Sequence, residues 1–329
     1  MREIKSKKNK NFIKKIFIKI SRMLGYEIID QDTLEFPTSY KYHQDTISVP
    51  GEKSVKLGIG ELKISRKIKA LDIIVKTCTN VHLVTQNKKR IFEKEKFEYT
   101  YRTINSLIKS SIYLKNKFKN INVKFTIVDT NSSKLHIDKI LSKISNEGFE
   151  AKLLNVGSSK FSNDNMSSTM ASIKESFLQA KNCEDLIYFV EDDYLHKVDS
   201  LSEMLFAYEK FSSIFQDEIF ILSTDYPYLY KNMVKTNVLL GENTHWRTVG
   251  ESLLTFLTSK KMVEKYFSQL IDMATNKSEP FEKNLHEIYE KEKCLSPIPS
   301  LSIHLTNVNS VFGLSPNVDF KDIWDKNKN

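Results

Sequence analysis

Short apolar runs, rich in β-branched and aromatic side chains, alternate with longer amphipathic stretches from residue 71 onward. "LDIIVKTC" (71–78), "VKFTIVD" (123–129), "AKLLNV" (151–156) and "LIYFV" (186–190) read as strands, and the near-continuous apolarity of several of them suits burial on both faces. Between them, 93–118, 134–148, 166–182 and 199–215 return apolar residues every three or four positions, the period of a helix with one buried face, and Gly148 ends the second of these. Further on, "EIFILS" (218–223) and "SLLTFLT" (252–258) read as strands, with a helix from Ser259 and another over 280–293. This alternation predicts an α/β protein with a mostly parallel central sheet covered by helices. No internal repeat is visible.

The main domain is expected over 69–310. Ahead of it lie a basic arm (1–26) and a connecting segment with short strands (27–68), where Pro37, Pro50-Gly51, Gly58 and Gly60 gather the early turn signals. A polar tail (311–329) follows. The 329 residues are 40% hydrophobic, enough for one large core or two modest ones. Cys78, Cys183 and Cys294 stand too far apart for a disulfide framework or a zinc cluster, which favours a reducing, cytoplasmic setting.

The net charge of +9 is not spread evenly. Residues 1–26 hold nine Lys/Arg and one Glu, leaving 41 basic against 40 acidic side chains for the rest. A near-neutral body argues against a nucleic-acid partner, whose basic stripe belongs on the folded domain. In the arm, Ile13, Ile16, Phe17, Ile20, Met23 and Leu24 share one helical face, lysines fill much of the other, and Gly25 is a stop. Its apolar runs are too short for a secretory core or a membrane span. Such a helix suits the anionic cytoplasmic surface of a membrane, or docks on its own domain.

The strand "LIYFV" runs directly into Glu191, Asp192 and Asp193. Three carboxylates at one strand tip repel each other, and a cation is the simplest compensation. In an open α/β sheet, ligands bind beyond the carboxyl ends of the strands, where Thr77 and Asp129 also fall. A hard divalent cation such as Mn²⁺ or Mg²⁺ takes one or two carboxylates and fills other positions with phosphate oxygens. Bridging Asp193 to a diphosphate, it stabilises the charge that grows on a departing nucleotide. That is the chemistry of sugar transfer from a nucleotide sugar.

"LIYFVEDDYLH" resembles the Asp-X-Asp region of GT-A-fold glycosyltransferases, especially the family-2-like bacterial enzymes. "RTINSLIKS" (102–110) is similar to that fold's first helix, and "FTIVDTNSS" (125–133) to its second strand and Ser-rich turn. Together with "NMSSTMASIKESFLQAKNCEDLIYFVEDD" the resemblance covers about 69–200. It implies a GT-A-like domain in which Asp193, with Glu191 and His304, holds the metal. Thr77, Asp129 and Ser132 would serve the base, and Asp192 or Glu191 the ribose or a metal-bound water. Glu191 stands where the family more often has Asp, and the family's later Glu-Asp pair has no clean counterpart.

An inverting transferase needs a base near the acceptor hydroxyl. Glu282 is the first candidate and Glu287 the second, although both also suit a solvated helix face; Asp225 is the third. Trp246 and Arg247 are candidates for stacking on a sugar and clamping an acidic group, or equally for a core plug and an ion pair. Tyr226, Tyr228 and Tyr230 suit an acceptor groove or the packing of the sheet. His196 is expected at the surface. The expected activity is metal-dependent transfer of a sugar to a cell-surface glycan or lipid-linked acceptor. The competing readings are a nucleotidyltransferase or pyrophosphorylase, and a non-catalytic GT-A-like module working through its arm. The pyrophosphorylase reading calls for a Gly-rich loop after the first strand, and "KTCTNVHLVTQNKKR" has no glycine.

Overall fold

The structure, a computed structural model, describes residues 12–26, 63–80, 91–156, 165–275, 282–305, 313–315 and 317–328. Most of the expected connecting segment (27–62) and the polar loop 157–164 lie outside the described residues. The chain divides into two compact units, 1–63 and 64–329.

In the first unit, helix α1 (Phe12–Met23) follows the amphipathic pattern. At about 100° per residue, its apolar side chains other than Ile18 fall within an arc of roughly 140°. Gly25 ends it with φ +83°, and the Tyr26 N–H returns to the Ser21 carbonyl at 2.9 Å. A left-handed residue at this point caps orphan carbonyls that a β-carbon would strain.

The second unit begins β1 (Ala70–Thr77), α2 (Lys96–Lys117), β2 (Asn122–Asp129), α3 (Lys134–Asn146), β3 (Glu150–Asn155), α4 (Asn165–Ala180) and β4 (Leu186–Glu191). It continues with β5 (Tyr194–His196), α5 (Ser200–Phe215), β6 (Phe220–Ile221), a 3-10 turn (Pro227–Tyr230), β7 (Val238–Leu240), β8 (His245–Val249) and β9 (Phe256–Ser259). The last elements are α6 (Lys260–Lys265), α7 (Phe267–Met273), α8 (Lys283–Tyr289), β10 (Cys294–Ile298), β11 (Ser302–His304) and α9 (Phe320–Lys326).

Among the described residues one sheet runs in the order β3-β2-β1-β4-β9-β6-β10-β8-β7, and β11 pairs β5 in a separate ribbon. β1 through β4 are mutually parallel; β9 enters antiparallel between β4 and β6, and β10 lies parallel to β6. This is the mostly parallel, helix-covered sheet that the strand–helix alternation implies. Ile73, Ile74 and Val75 of β1 and Ile187, Tyr188 and Val190 of β4 are completely buried, so both faces of these central strands are covered. Continuous apolarity is what such strands require.

Several elements differ from the sequence expectation. "EIFILS" forms a ladder only over β6, because the chain then leaves the sheet and Ser223 accepts the N–H groups of Leu301 and Ser302 (both 2.9 Å). "SLLTFLT" enters the sheet late, at Phe256, while Ser252–Thr255 pass the end of β4; there the Glu191 N–H donates to the Thr255 hydroxyl (3.2 Å). "HWRTV", expected between strands, is itself strand β8. The C-terminal segment read as a polar tail carries α9. Its Trp324 is buried, stacked on Phe92 (4.1 Å between centroids) with the Arg102 guanidinium 4.1 Å over the ring. His196 is not at the surface. It is buried between the Tyr188 hydroxyl (2.7 Å) and the Ser106 hydroxyl (3.3 Å), and that burial pushes its pKa down to about 3. Ring nitrogens with two hydroxyl partners can go inside uncharged.

Candidate functional site

The ends of β1, β2 and β4 bring the expected nucleotide residues to one edge of the sheet. Thr77 and Asp129 are register partners, and the Thr77 hydroxyl donates to Asp129 Oδ1 at 2.9 Å. Asp129 Oδ2 accepts the Ser132 N–H (3.1 Å), and the Ser132 hydroxyl accepts the Thr79 N–H (2.9 Å). Thr77 and Asp129 are themselves buried, so they shape the turn after β2 from within. More open beside them are His136, bonded to the Thr79 hydroxyl (2.9 Å), and Phe97, stacked on the imidazole with centroids 4.0 Å apart. Neither was a sequence candidate. Phe97 sits at the start of α2 and His136 in the first turn of α3, outside every motif.

The three carboxylates after β4 take three different environments. Glu191 pairs with Lys76 at 3.2 Å. Asp192 turns inward: Oδ1 meets the Lys96 ammonium at 2.5 Å, and Oδ2 accepts the Thr100 hydroxyl (2.9 Å) and the Cys78 N–H (3.2 Å). Burial pushes the Asp192 pKa up, opposed chiefly by Lys96. Asp193 faces outward between His304, 3.4 Å away, and Lys96 at 4.0 Å. The ribbon positions this pair: β11 brings His304 opposite Tyr194, whose ring lies parallel to the imidazole at 4.5 Å. The Leu305 N–H also donates to the Asp193 carbonyl (2.7 Å). The repulsion at the strand tip is therefore offset in good part by the chain's own Lys76 and Lys96. Neither lysine was singled out from the sequence.

Among the described residues no group of three or more His, Cys, Asp or Glu is gathered tightly enough to hold a metal ion. Asp193 and His304 make a two-ligand set. A carboxylate and an imidazole fit a cation that draws its other ligands from a diphosphate and water. Asp192 has both oxygens engaged inside the protein and offers neither to a ligand.

The candidate bases separate clearly. Glu287 is exposed, 3.9 Å from Lys283 one helical turn away, which is a solvated helix pair. Asp225 is buried and engaged on both oxygens, Oδ1 by Arg247 (2.8 Å) and Oδ2 by the Tyr230 hydroxyl (2.6 Å). Glu282 is half-buried at the head of α8, and its charge, like that of Glu251, adds to the burial that raises the Tyr228 pKa. Glu251, passed over in the sequence, thus joins Glu282 around Tyr228. Ser252, the next residue, lies against the α8 imidazole of His286, whose Nε2 either accepts the Ser252 N–H (3.2 Å) or donates to the Ser252 carbonyl (2.9 Å), according to its tautomer.

Trp246 does not face a substrate. It is fully buried, its edge toward Phe211, because alternation along β8 sends Trp246 and Arg247 to opposite faces. Of the tyrosines, Tyr226 is internal, its hydroxyl 2.8 Å from that of Tyr194, and only Tyr230 is well exposed.

No protein-family profile and no curated protein matches the chain. Among solved structures it is similar to the galactosyltransferase LgtC, described in complex with donor and acceptor sugar analogs. That match has 11% identity over 68% of this chain and 70% of that one, with a TM-score of 0.36. It is similar to a UDP-glucose pyrophosphorylase complexed with UDP-glucose (11% identity, 70% and 90% coverage, TM-score 0.38). It is also similar to the glycosyltransferase GlyE of Streptococcus pneumoniae TIGR4 (12% identity, 79% and 60% coverage, TM-score 0.41).

Proposed function

We propose that the chain is a nucleotide-sugar-dependent glycosyltransferase. The observation that carries this is the pairing of Asp193 with His304 at the carboxyl end of β4, beside the turn built by Thr77, Asp129 and Ser132. Asp193 and His304 would hold Mn²⁺ or Mg²⁺, with Glu191 near at hand. Bound there, the ion would neutralise charge on a diphosphate. Phe97, His136 and Ser132 offer a nucleoside a ring face and polar groups. Lys76 and Lys96 offset the mutual repulsion of the carboxylates.

Transfer to an acceptor hydroxyl with inversion needs a carboxylate to take the proton. Glu282 and Glu251, whose charges both act on Tyr228, are the candidates, whereas Asp225 and Glu287 pair with Arg247 and Lys283. A glycan or a lipid-linked sugar is the acceptor class. The exposed apolar face of α1, with Lys19 and Arg22 among the basic residues of the arm, would hold the enzyme at an anionic membrane surface where such acceptors lie.

Calorimetric titration of UDP, GDP, CDP and dTDP, with and without Mn²⁺, tests the reading. The expected result is metal-dependent binding of one nucleotide that Asp193→Asn abolishes. Absence of binding by any of them to folded protein would overturn the catalytic reading.

A further inference from the structure

Arg247 is buried, yet its Nε–H has no hydrogen-bond partner. The ion pair with Asp225 runs through Nη2 alone, at 2.8 Å. An Arg–carboxylate pair built purely for stability would use the two parallel bonds that the guanidinium fork allows. Here the second Asp225 oxygen is taken instead by the Tyr230 hydroxyl at 2.6 Å, and the Tyr230 ring covers the guanidinium at 4.1 Å. A buried donor left unsatisfied loses its hydration without compensation, so its retention calls for a reason.

The Tyr230 ring lies on the guanidinium and is itself open to solvent on its other side. Tyr230 closes a single 3-10 turn and is 57% exposed, and Val238, the register partner of Arg247 on β7, is 60% exposed. Asp225 is followed directly by Tyr226, whose hydroxyl meets that of Tyr194, the residue after Asp193. The cluster is thereby linked to the acidic strand tip through one pair of tyrosines, without sharing any of its groups.

We infer that Arg247, gated by Tyr230 and braced by Asp225, is a binding site for an anionic group on the acceptor, a carboxylate or a phosphate. Displacement of the Tyr230 ring opens the Nε edge and one face of the guanidinium. An incoming oxyanion then takes the donors that Asp225 leaves unused, while Asp225 keeps Arg247 in place. This inference deepens the transferase reading and rests on it.

The test titrates two probes, methyl glucuronide and glycerol 1-phosphate, into the full chain saturated with its nucleoside diphosphate. Binding of one or both is expected, with the preferred probe telling a carboxylate from a phosphate. Arg247→Gln should weaken it by about tenfold, the worth of one charged hydrogen bond. Tyr230→Ala, which removes the ring over the guanidinium and the hydrogen bond to Asp225 Oδ2 but leaves the Arg247–Asp225 pair, should tighten it and guards against a misfolded Arg247 variant. Nucleotide affinity should be unchanged in both. If wild type and Tyr230→Ala bind neither probe while the nucleotide still binds, the anion site is refuted and the transferase reading stands. Equal probe affinity in folded Arg247→Gln also refutes it. Loss of nucleotide binding in the wild type would instead remove the reading beneath it.

Discussion

Lys96→Met tests whether the chain's own cations hold the acidic strand tip together. Methionine keeps the aliphatic stem and removes the ammonium, leaving Asp192 buried with only the Thr100 hydroxyl and the Cys78 N–H. The Lys96 and Asp192 side chains are 12% and 11% exposed, so solvent screens the pair little. Removing one partner of such a pair costs about 3–5 kcal/mol, and two surviving donors place this case near the lower end, about 3 kcal/mol. The loss should depend on pH. Burial already raises the Asp192 pKa and Lys96 is the main opposing influence, so without Lys96 it rises further. An unfolded Asp titrates near about 3.9, so over the interval above that value the folded variant binds more protons than the unfolded chain. Its stability therefore falls as pH rises through that interval, then levels off once Asp192 is ionised. Urea unfolding followed by far-UV circular dichroism between about pH 4.5 and 8 measures this as a deficit against wild type that is small in acid and full at neutrality. Adding Asp192→Asn should recover most of it at neutral pH. A deficit below about 1 kcal/mol, or one flat with pH, would refute the claim that Lys96 neutralises a buried carboxylate.

Gly241→Ala is expected to destabilise the β7–β8 turn by about 1–3 kcal/mol, read as a lower urea midpoint. The new Cβ would stand 2.5 Å from the Thr244 carbonyl oxygen and 2.6 Å from Trp246 Nε1; an unchanged midpoint would contradict that close approach. The arm should carry the chain down with vesicles containing phosphatidylserine and leave it in solution with pure phosphatidylcholine. Lys19→Glu and Arg22→Glu should each weaken sedimentation several-fold, since a basic residue near an anionic surface contributes about 1 kcal/mol. Equal binding to both vesicles would exclude the electrostatic part of that reading.

What was legible in the sequence follows the physics of burial. Strands covered on both faces, such as β1 and β4, announce themselves as unbroken apolar runs, and the helices between them by their period. Short strands held by few neighbours were less visible: β6 keeps only two residues in the ladder because its chain turns aside to meet the loop before β11. The pairing of Thr77 with Asp129 was foreshadowed by their places at the ends of adjacent strands. Lys96 was not, since 96 residues separate it from Asp192 and nothing local marks a lysine at a helix start as a buried partner. His196 misled because a polar ring beside three acids looks solvated until Tyr188 and Ser106 are seen to enclose it. Trp246 and Arg247 were open in the sequence between a sugar-recognition pair and a core plug with an ion pair, because the strand they form was not foreseen. Once it is a strand, adjacent residues cannot face the same way.

The three consecutive carboxylates are best understood as a division of labour imposed by geometry. Glu191 ends the strand and takes Lys76, Asp192 points into the protein and takes the head of α2, and Asp193 points out toward His304. Because Asp192 binds Lys96 and Thr100 on α2 and the Cys78 N–H after β1, it fastens helix, strand end and acidic tip to one another. Asp193 is thereby set on a braced backbone, and orientation held in advance is what a ligand site needs. The same brace places the Lys96 ammonium 4.0 Å from Asp193, so a cation held there as proposed would meet a site already partly neutralised. Asp192 is then the residue whose loss should loosen the whole tip, since both its oxygens are engaged within the protein.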